Sequence, residues 1–172
     1  MFWKRASAAA EGIYVLSVVG IAFKTYIEIL NELNIFNVIK TDNDLRSVTG
    51  KGIYSVLGFL RCNNYAGKQL LPTAQINENS VDAKRKLYND NITTLDEIRN
   101  DYNIYLSKCD LENDLDEFLH DRLVALLAAN PVAYLQDAKN YHMVELIEKL
   151  TDADCRTIYN HYNFACLKEV AE

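Results

Sequence analysis

The sequence predicts an α/β fold, a parallel sheet flanked by helices, followed by an α-helical extension. Two patterns carry this expectation. The first is a strand–helix–strand succession in the opening part of the chain, and the second is helical periodicity throughout the segment after Pro131. The chain has 172 residues, 49% hydrophobic and 24% charged, the composition of an ordinary globular protein with a substantial core.

Taken in order, Ile13-Tyr14-Val15-Leu16-Ser17-Val18-Val19 is a nearly continuous β-branched and apolar run ending at Gly20. Such a run without alternation suits a strand covered on both faces. Ala22 to Leu33 is amphipathic at helical spacing, with Phe23, Tyr26, Ile27, Leu30 and Leu33 opposite Lys24, Glu28 and Glu32. Ile35 to Ile39 reads as a short buried strand, which completes a βαβ unit with a right-handed crossover. Gly52 to Cys62 reads as a further helix and residues 63–80 as a loop. Helices are expected over 81–89 and 94–101, the latter with a Thr94–Glu97 capping box. Asn103 to Ser107 is a third strand, and a helix follows along Leu115, Phe118, Leu119, Leu123 and Leu126-Leu127. Asn130 is placed to cap the next helix, with Pro131 in its first turn. The expected organisation is therefore an α/β unit over residues 1–130 and a helical extension over 131–172.

Several function classes lose support at this stage. No apolar stretch approaches the roughly 20 residues of a membrane span, and Met1 to Ser7 opens no apolar signal region. Cys62, Cys109, Cys155 and Cys166 form no CxxC pair, which argues against a zinc module and fits reduced thiols in a cytoplasm. No glycine-rich phosphate loop, GxSxG elbow or Cys–His pairing occurs. His120, His142 and His161 lack metal-ligand spacing and receive no role. The net charge of −6 means that contact with a nucleic acid requires metal ions, a local basic patch or another chain.

Chemistry is concentrated in two acidic clusters. Thr41-Asp42-Asn43-Asp44 follows the expected strand at 35–39, and in extended backbone Asp42 and Asp44 can converge on one cation. An Asx turn explains the same residues without a metal. Asp110, Glu112 and Asp114 follow the strand at 103–107. If both strands share one parallel sheet, the clusters emerge on one edge, where divalent ions would relieve the repulsion between carboxylates. Complementing a helix macrodipole is the competing explanation for Asp110 and Glu112. Lys139, between two helical pieces, could offer positive charge to a phosphoryl transition state.

The segments Tyr14 to Tyr26 and Val38-Ile39-Lys40-Thr41-Asp42-Asn43-Asp44 resemble the TOPRIM domain of the OLD (overcoming lysogenisation defect) nucleases, ATPase-coupled endonucleases of bacterial and phage conflict systems. Ile104 to Leu115 resembles that family's second acidic motif, and Ala138-Lys139 with the following helix resembles its lysine segment. The resemblance implies a TOPRIM-like, Rossmann-like sheet and two-metal hydrolysis of DNA phosphodiesters with Mg²⁺ or Mn²⁺. It implies that Asp42, Asp44, Asp110, Glu112 and Asp114 are metal ligands and that Lys139 stabilises charge. It also implies an ATPase domain in the parent protein or operon, a possible homodimer, and phage defence.

The resemblance departs from its pattern at the start of the chain. A TOPRIM domain opens with a strand ending in glutamate, whereas the first strand here corresponds to the second of that pattern. Glu11 precedes the wrong strand and takes no role. The expectation is a C-terminal fragment whose metal site lacks one ligand. A non-catalytic interaction or dimerisation domain is the alternative, with Tyr141, Val144, Ile147 and Leu150 as its docking face.

Overall fold

The computed structural model describes residues 23–169. The run expected as a strand at 13–19, together with Glu11, lies outside them. Helix α1 (Phe23–Glu32) follows the amphipathic pattern read from the sequence. Two residues past its end, Asn34 adopts a left-handed conformation, φ 53°, that asparagine tolerates.

Strand β1 (Ile39–Thr41) begins where the sequence reading placed its end. Ile35 and Phe36 are 48% and 62% exposed, so the run before Ile39 is not the buried strand that was expected. The partner sets the position: β1 pairs in parallel with β5 (Ile104–Leu106), Ile39 opposite Ile104 and Thr41 opposite Leu106. Ile39 donates its N–H to the Asn103 carbonyl at 2.9 Å. All of β5 is buried, as the apolar run predicts.

Between these strands the chain folds into an antiparallel sheet that the sequence reading missed. Strand β2 (Leu45–Val48) pairs with β3 (Ile53–Val56), and β3 with β4 (Gln75–Ile76). Gly50 and Gly52 take φ of +74° and +60° on either side of Lys51, which reverses the chain between β2 and β3. The single helix expected from Gly52 to Cys62 is therefore corrected to β3 followed by helix α2 (Leu57–Ala66). Ile53, Val56, Leu57 and Leu60 satisfy helical spacing, but cross-strand partners for 53–56 are available only once the hairpin forms.

Helices α3 (Val81–Asp90) and α4 (Ile92–Tyr102) match the expected pair, with Ser80 capping the first. The Thr94–Glu97 capping box is not formed, because α4 starts at Ile92 and places Thr94 inside it. Helix α5 (Leu111–Leu126) starts four residues before Leu115 because the Asp110 side chain accepts the Asn113 N–H at its N-cap. From Pro131 the described chain is helical, as expected: α6 (Pro131–Asp137), α7 (Lys139–Lys149), α8 (Asp152–Asn160), a 3₁₀ turn (Tyr162–Phe164) and α9 (Cys166–Glu169). Asn130 caps α6 through the Ala133 N–H, and the reciprocal capping box occurs instead at Thr151 and Asp154.

Two apolar clusters hold these elements. Ile39, Val56, Phe59, Ile98, Ile104 and Leu106 are buried between the strands and the helices α2 and α4. Leu115, Leu119, Leu123, Leu135, Leu146 and Phe164 are buried among the helices from α5 onward. At about 25 cal/mol per Å² of apolar surface, such burial is the main force that fixes the strand ends in place. No helix among the described residues is long and apolar enough to cross a membrane.

Candidate active site

Parallel pairing of β1 with β5 brings the two acidic loops to one edge of that sheet. Their attachment continues past the strands. Ser107 donates its N–H to the Thr41 carbonyl and Asn43 donates to the Cys109 carbonyl, each at 2.9 Å. The Asn43 side chain is wholly buried and donates from Nδ2 to the carbonyls of Lys84, 3.2 Å, and Lys108, 3.1 Å. Asn43 is thus the fastener between the TDND loop, the loop after β5 and helix α3. The sequence suggested turn material at this position, but not this role.

Helix α2 presses on the same loop. A Cβ at Gly58 would stand 2.8 Å from the Asn43 Cα and 3.0 Å from a Leu106 methyl, so only glycine permits this approach. The Gly58 N–H donates to the Asp44 carbonyl at 3.1 Å. One turn along the same helix face, the Arg61 guanidinium donates to Asp44 Oδ2 at 2.7 Å.

The acidic residues have different surroundings. Asp42 has no hydrogen-bond or ion-pair partner among the described residues, yet it is half-buried. Burial first, and then the neighbouring Asp44 charge, push its carboxyl up to about 6; Lys139 pulls the other way, and Asp110 and Glu112 add to the rise. These are long-range effects through a poorly solvated edge, and they link Asp42 electrically to both clusters. Asp44 is taken by Arg61. Asp110 is the N-cap of α5, accepting from the Asn113 backbone and side chain at 2.8 Å, and its other oxygen accepts from Gln136 at 3.1 Å.

Glu112 is buried and faces Lys139, whose Nζ lies 3.3 Å and 3.5 Å from its two oxygens. Lys139 opens α7, and the fold of α6 and α7 against α5 delivers it to the acidic edge. Burial opposes its charge, but Glu112, followed by Asp42 and Asp110, holds it above the ordinary lysine range. Asp114 belongs to a different network. It is buried, and accepts from Lys40 Nζ and from the Lys108 N–H, both at 3.1 Å. Burial lifts its carboxyl above the usual range against the pull of Lys40. Lys40 also donates to the Asn163 carbonyl at 2.9 Å, which ties β1 to the 3₁₀ turn near the chain's end.

The donors at this edge are hard carboxylate oxygens, the chemistry that suits Mg²⁺ or Mn²⁺. Asp42 fits such an ion best, being an unpartnered carboxylate destabilised by its acidic neighbours. Among the described residues no three His, Cys, Asp or Glu side chains are grouped to hold one ion. Arg61, Gln136 and Lys139 occupy the oxygens of Asp44, Asp110 and Glu112. The histidines stand apart, with His120 on Asp116, His142 stacked on Tyr134 and His161 stacked on Phe118.

Comparison with known proteins agrees with the acidic motif. The model of the "Overcoming lysogenization defect protein-like, TOPRIM domain" family matches residues 2–44, which end at Asp44. The chain is 37% identical over 173 aligned positions to "Endonuclease GajA" of Bacillus cereus (strain VD045). That alignment covers 93% of this chain and 30% of the relative, so the chain spans about a third of the relative's length.

Proposed function

The chain belongs to the OLD-like TOPRIM proteins, and from that premise we propose that it carries the acidic hydrolytic centre of a DNA endonuclease. The observation that supports this reading best is Asp42, an unpaired half-buried carboxylate at the end of a parallel strand, within electrostatic reach of Asp44, Asp110, Glu112 and Lys139. In this reading residues 1–130 form the TOPRIM-like, Rossmann-like unit and residues 131–172 its helical extension. The parent protein couples it to an ATPase and acts on phage DNA in the cytoplasm.

In this reading Asp42 is the first ligand, and Asp44, Asp110 and Glu112 join it as Arg61, Gln136 and Lys139 release their oxygens. One or two Mg²⁺ or Mn²⁺ ions, when bound, supply the Lewis acidity for phosphodiester hydrolysis. Asn43 holds the two loops at fixed separation, so the backbone that carries the carboxylates needs no rearrangement when the substrate arrives. Lys139 keeps its proton through its carboxylate neighbours and presents positive charge where the phosphoryl oxygens gain negative charge. Asp114 supports the site from behind by anchoring the start of α5 to Lys40.

Calorimetric Mn²⁺ titration, with cleavage of plasmid DNA as a second readout, tests this. Wild-type chain is expected to bind Mn²⁺, and Asp42→Asn to lose binding while its circular dichroism stays unchanged. Absence of Mn²⁺ binding by the wild type sinks the reading.

One observation favours the interaction-domain alternative. Tyr141, Val144 and Ile147 are 73%, 55% and 46% exposed along one side of α7. Light scattering distinguishes a self-associating face, whose dimer Val144→Asp should dissociate, from an ordinary surface.

A further inference from the structure

The carboxylate edge is met by two cations from separate helices, Lys139 on Glu112 and Arg61 on Asp44. Sequence pattern singled out the lysine and passed over the arginine. Taking the DNA-hydrolysing role of this site as given, we propose that Arg61 is a second phosphate-binding residue, which holds Asp44 in the substrate-free chain and gives its guanidinium to a backbone phosphate of DNA.

The helix backbone that carries Arg61 is pressed against the site. Gly58, three residues earlier on the same face of α2, packs directly on Asn43 and donates its N–H to the Asp44 carbonyl. The Arg61 side chain is 18% exposed and that of Asp44 is 42% exposed, so the pair opens toward solvent at the rim of the site. The guanidinium is also under-used. It donates from Nη1 to Asp44, whereas its Nε is buried with no acceptor among the described residues. An arginine fork has five donors and matches phosphate in bidentate fashion. A phosphate oxygen entering beside Asp44 supplies an acceptor that the substrate-free chain lacks.

Charge leads to the same residue. The chain carries −6, and a phosphodiester approaching Asp42, Asp44, Asp110 and Glu112 meets repulsion from each carboxylate. Lys139 stands on the Glu112 side of the edge. A cation on the Asp44 side lowers the barrier to docking, and a planar guanidinium also fixes the strand's orientation.

Fluorescence anisotropy with a short labelled phosphorothioate duplex in Mn²⁺ tests this on wild type, Arg61→Gln and Arg61→Lys. Arg61→Gln is expected to lose about tenfold in duplex affinity and about one unit of salt slope. Arg61→Lys should retain the wild-type slope with intermediate affinity. Wild-type affinity and slope in Arg61→Gln, or no duplex binding by the wild type, overturns the proposal. If Arg61→Gln melts early, Arg61→Lys decides, because it preserves the charge and can keep the Asp44 pair; unchanged affinity there also overturns it. Mn²⁺ calorimetry on the same proteins reports on the metal site separately. Its failure rejects the Asp42 reading, whereas the Arg61 comparison is read from duplex affinity and salt slope.

Discussion

The backbone N–H of Asn43 donates to the carbonyl of Cys109 over 2.9 Å, and this bond joins the two acidic loops beyond the paired ends of β1 and β5. The same residue's side chain reaches Lys84 and Lys108. Distance between the clusters is therefore set by backbone hydrogen bonding rather than by the carboxylates, which repel one another.

Gly58→Ala places a methyl 2.8 Å from the Asn43 Cα, and backbone cannot move aside cheaply. The variant should lose about 1–3 kcal/mol of stability, the usual range for overpacking. Denaturant titration measures that loss, and Mn²⁺ affinity should fall with it because the TDND loop is displaced.

Asp42 gives a pH-dependent signature. Its carboxyl stands at about 6 in the folded chain against 3.8 in the unfolded one, so the folded state holds the proton to higher pH. Stability from this group is present below 3.8 and is lost as pH rises through about 6. Asp42→Asn should match the wild type at pH 3.5 and exceed it at pH 7.5 by about 1–2 kcal/mol, after allowance for solvent screening. Thermal melts at the two pH values check the sign. Mn²⁺ affinity of the wild type should fall as pH drops below about 6.

Lys139→Ala leaves Glu112 buried without its cation. A loss of about 1–3 kcal/mol is expected, largely recovered when Glu112→Gln is added. In an active parent protein, cleavage should fall by about 10²-fold or more, and Glu112→Gln will not restore it. Chemical denaturation of the single and double variants reports the structural role of the pair, and plasmid cleavage by Lys139→Ala alone reports the role of the lysine.

Lys40→Met strands the buried Asp114 carboxylate and should cost about 3–5 kcal/mol, the range for breaking one side of a buried pair. The double variant with Asp114→Asn should cost less than Lys40→Met alone. Asp114→Asn by itself should leave Mn²⁺ affinity unchanged, since Asp114 is tied to Lys40 and the Lys108 N–H and is not among the charges that act on Asp42.

What the sequence determined by itself is local chemistry. Asp42, Asp110 and Glu112 could be placed after strands because apolar runs and their polar ends are written in consecutive residues, and Asn130 with Pro131 could be read as a helix start for the same reason. The tertiary structure decided which carboxylate stays free. Asp42 and Asp44 look equivalent in TDND, but Arg61 takes one and leaves the other. Asp110 and Asp114 look equivalent in the second cluster, but one caps α5 and the other is buried on Lys40. The β2–β3 hairpin escaped periodicity because its apolar residues fit helix and strand alike until a partner strand arrives. Each of these choices depends on groups distant in sequence, and only packing brings a distant cation or a neighbouring strand within reach of a given side chain.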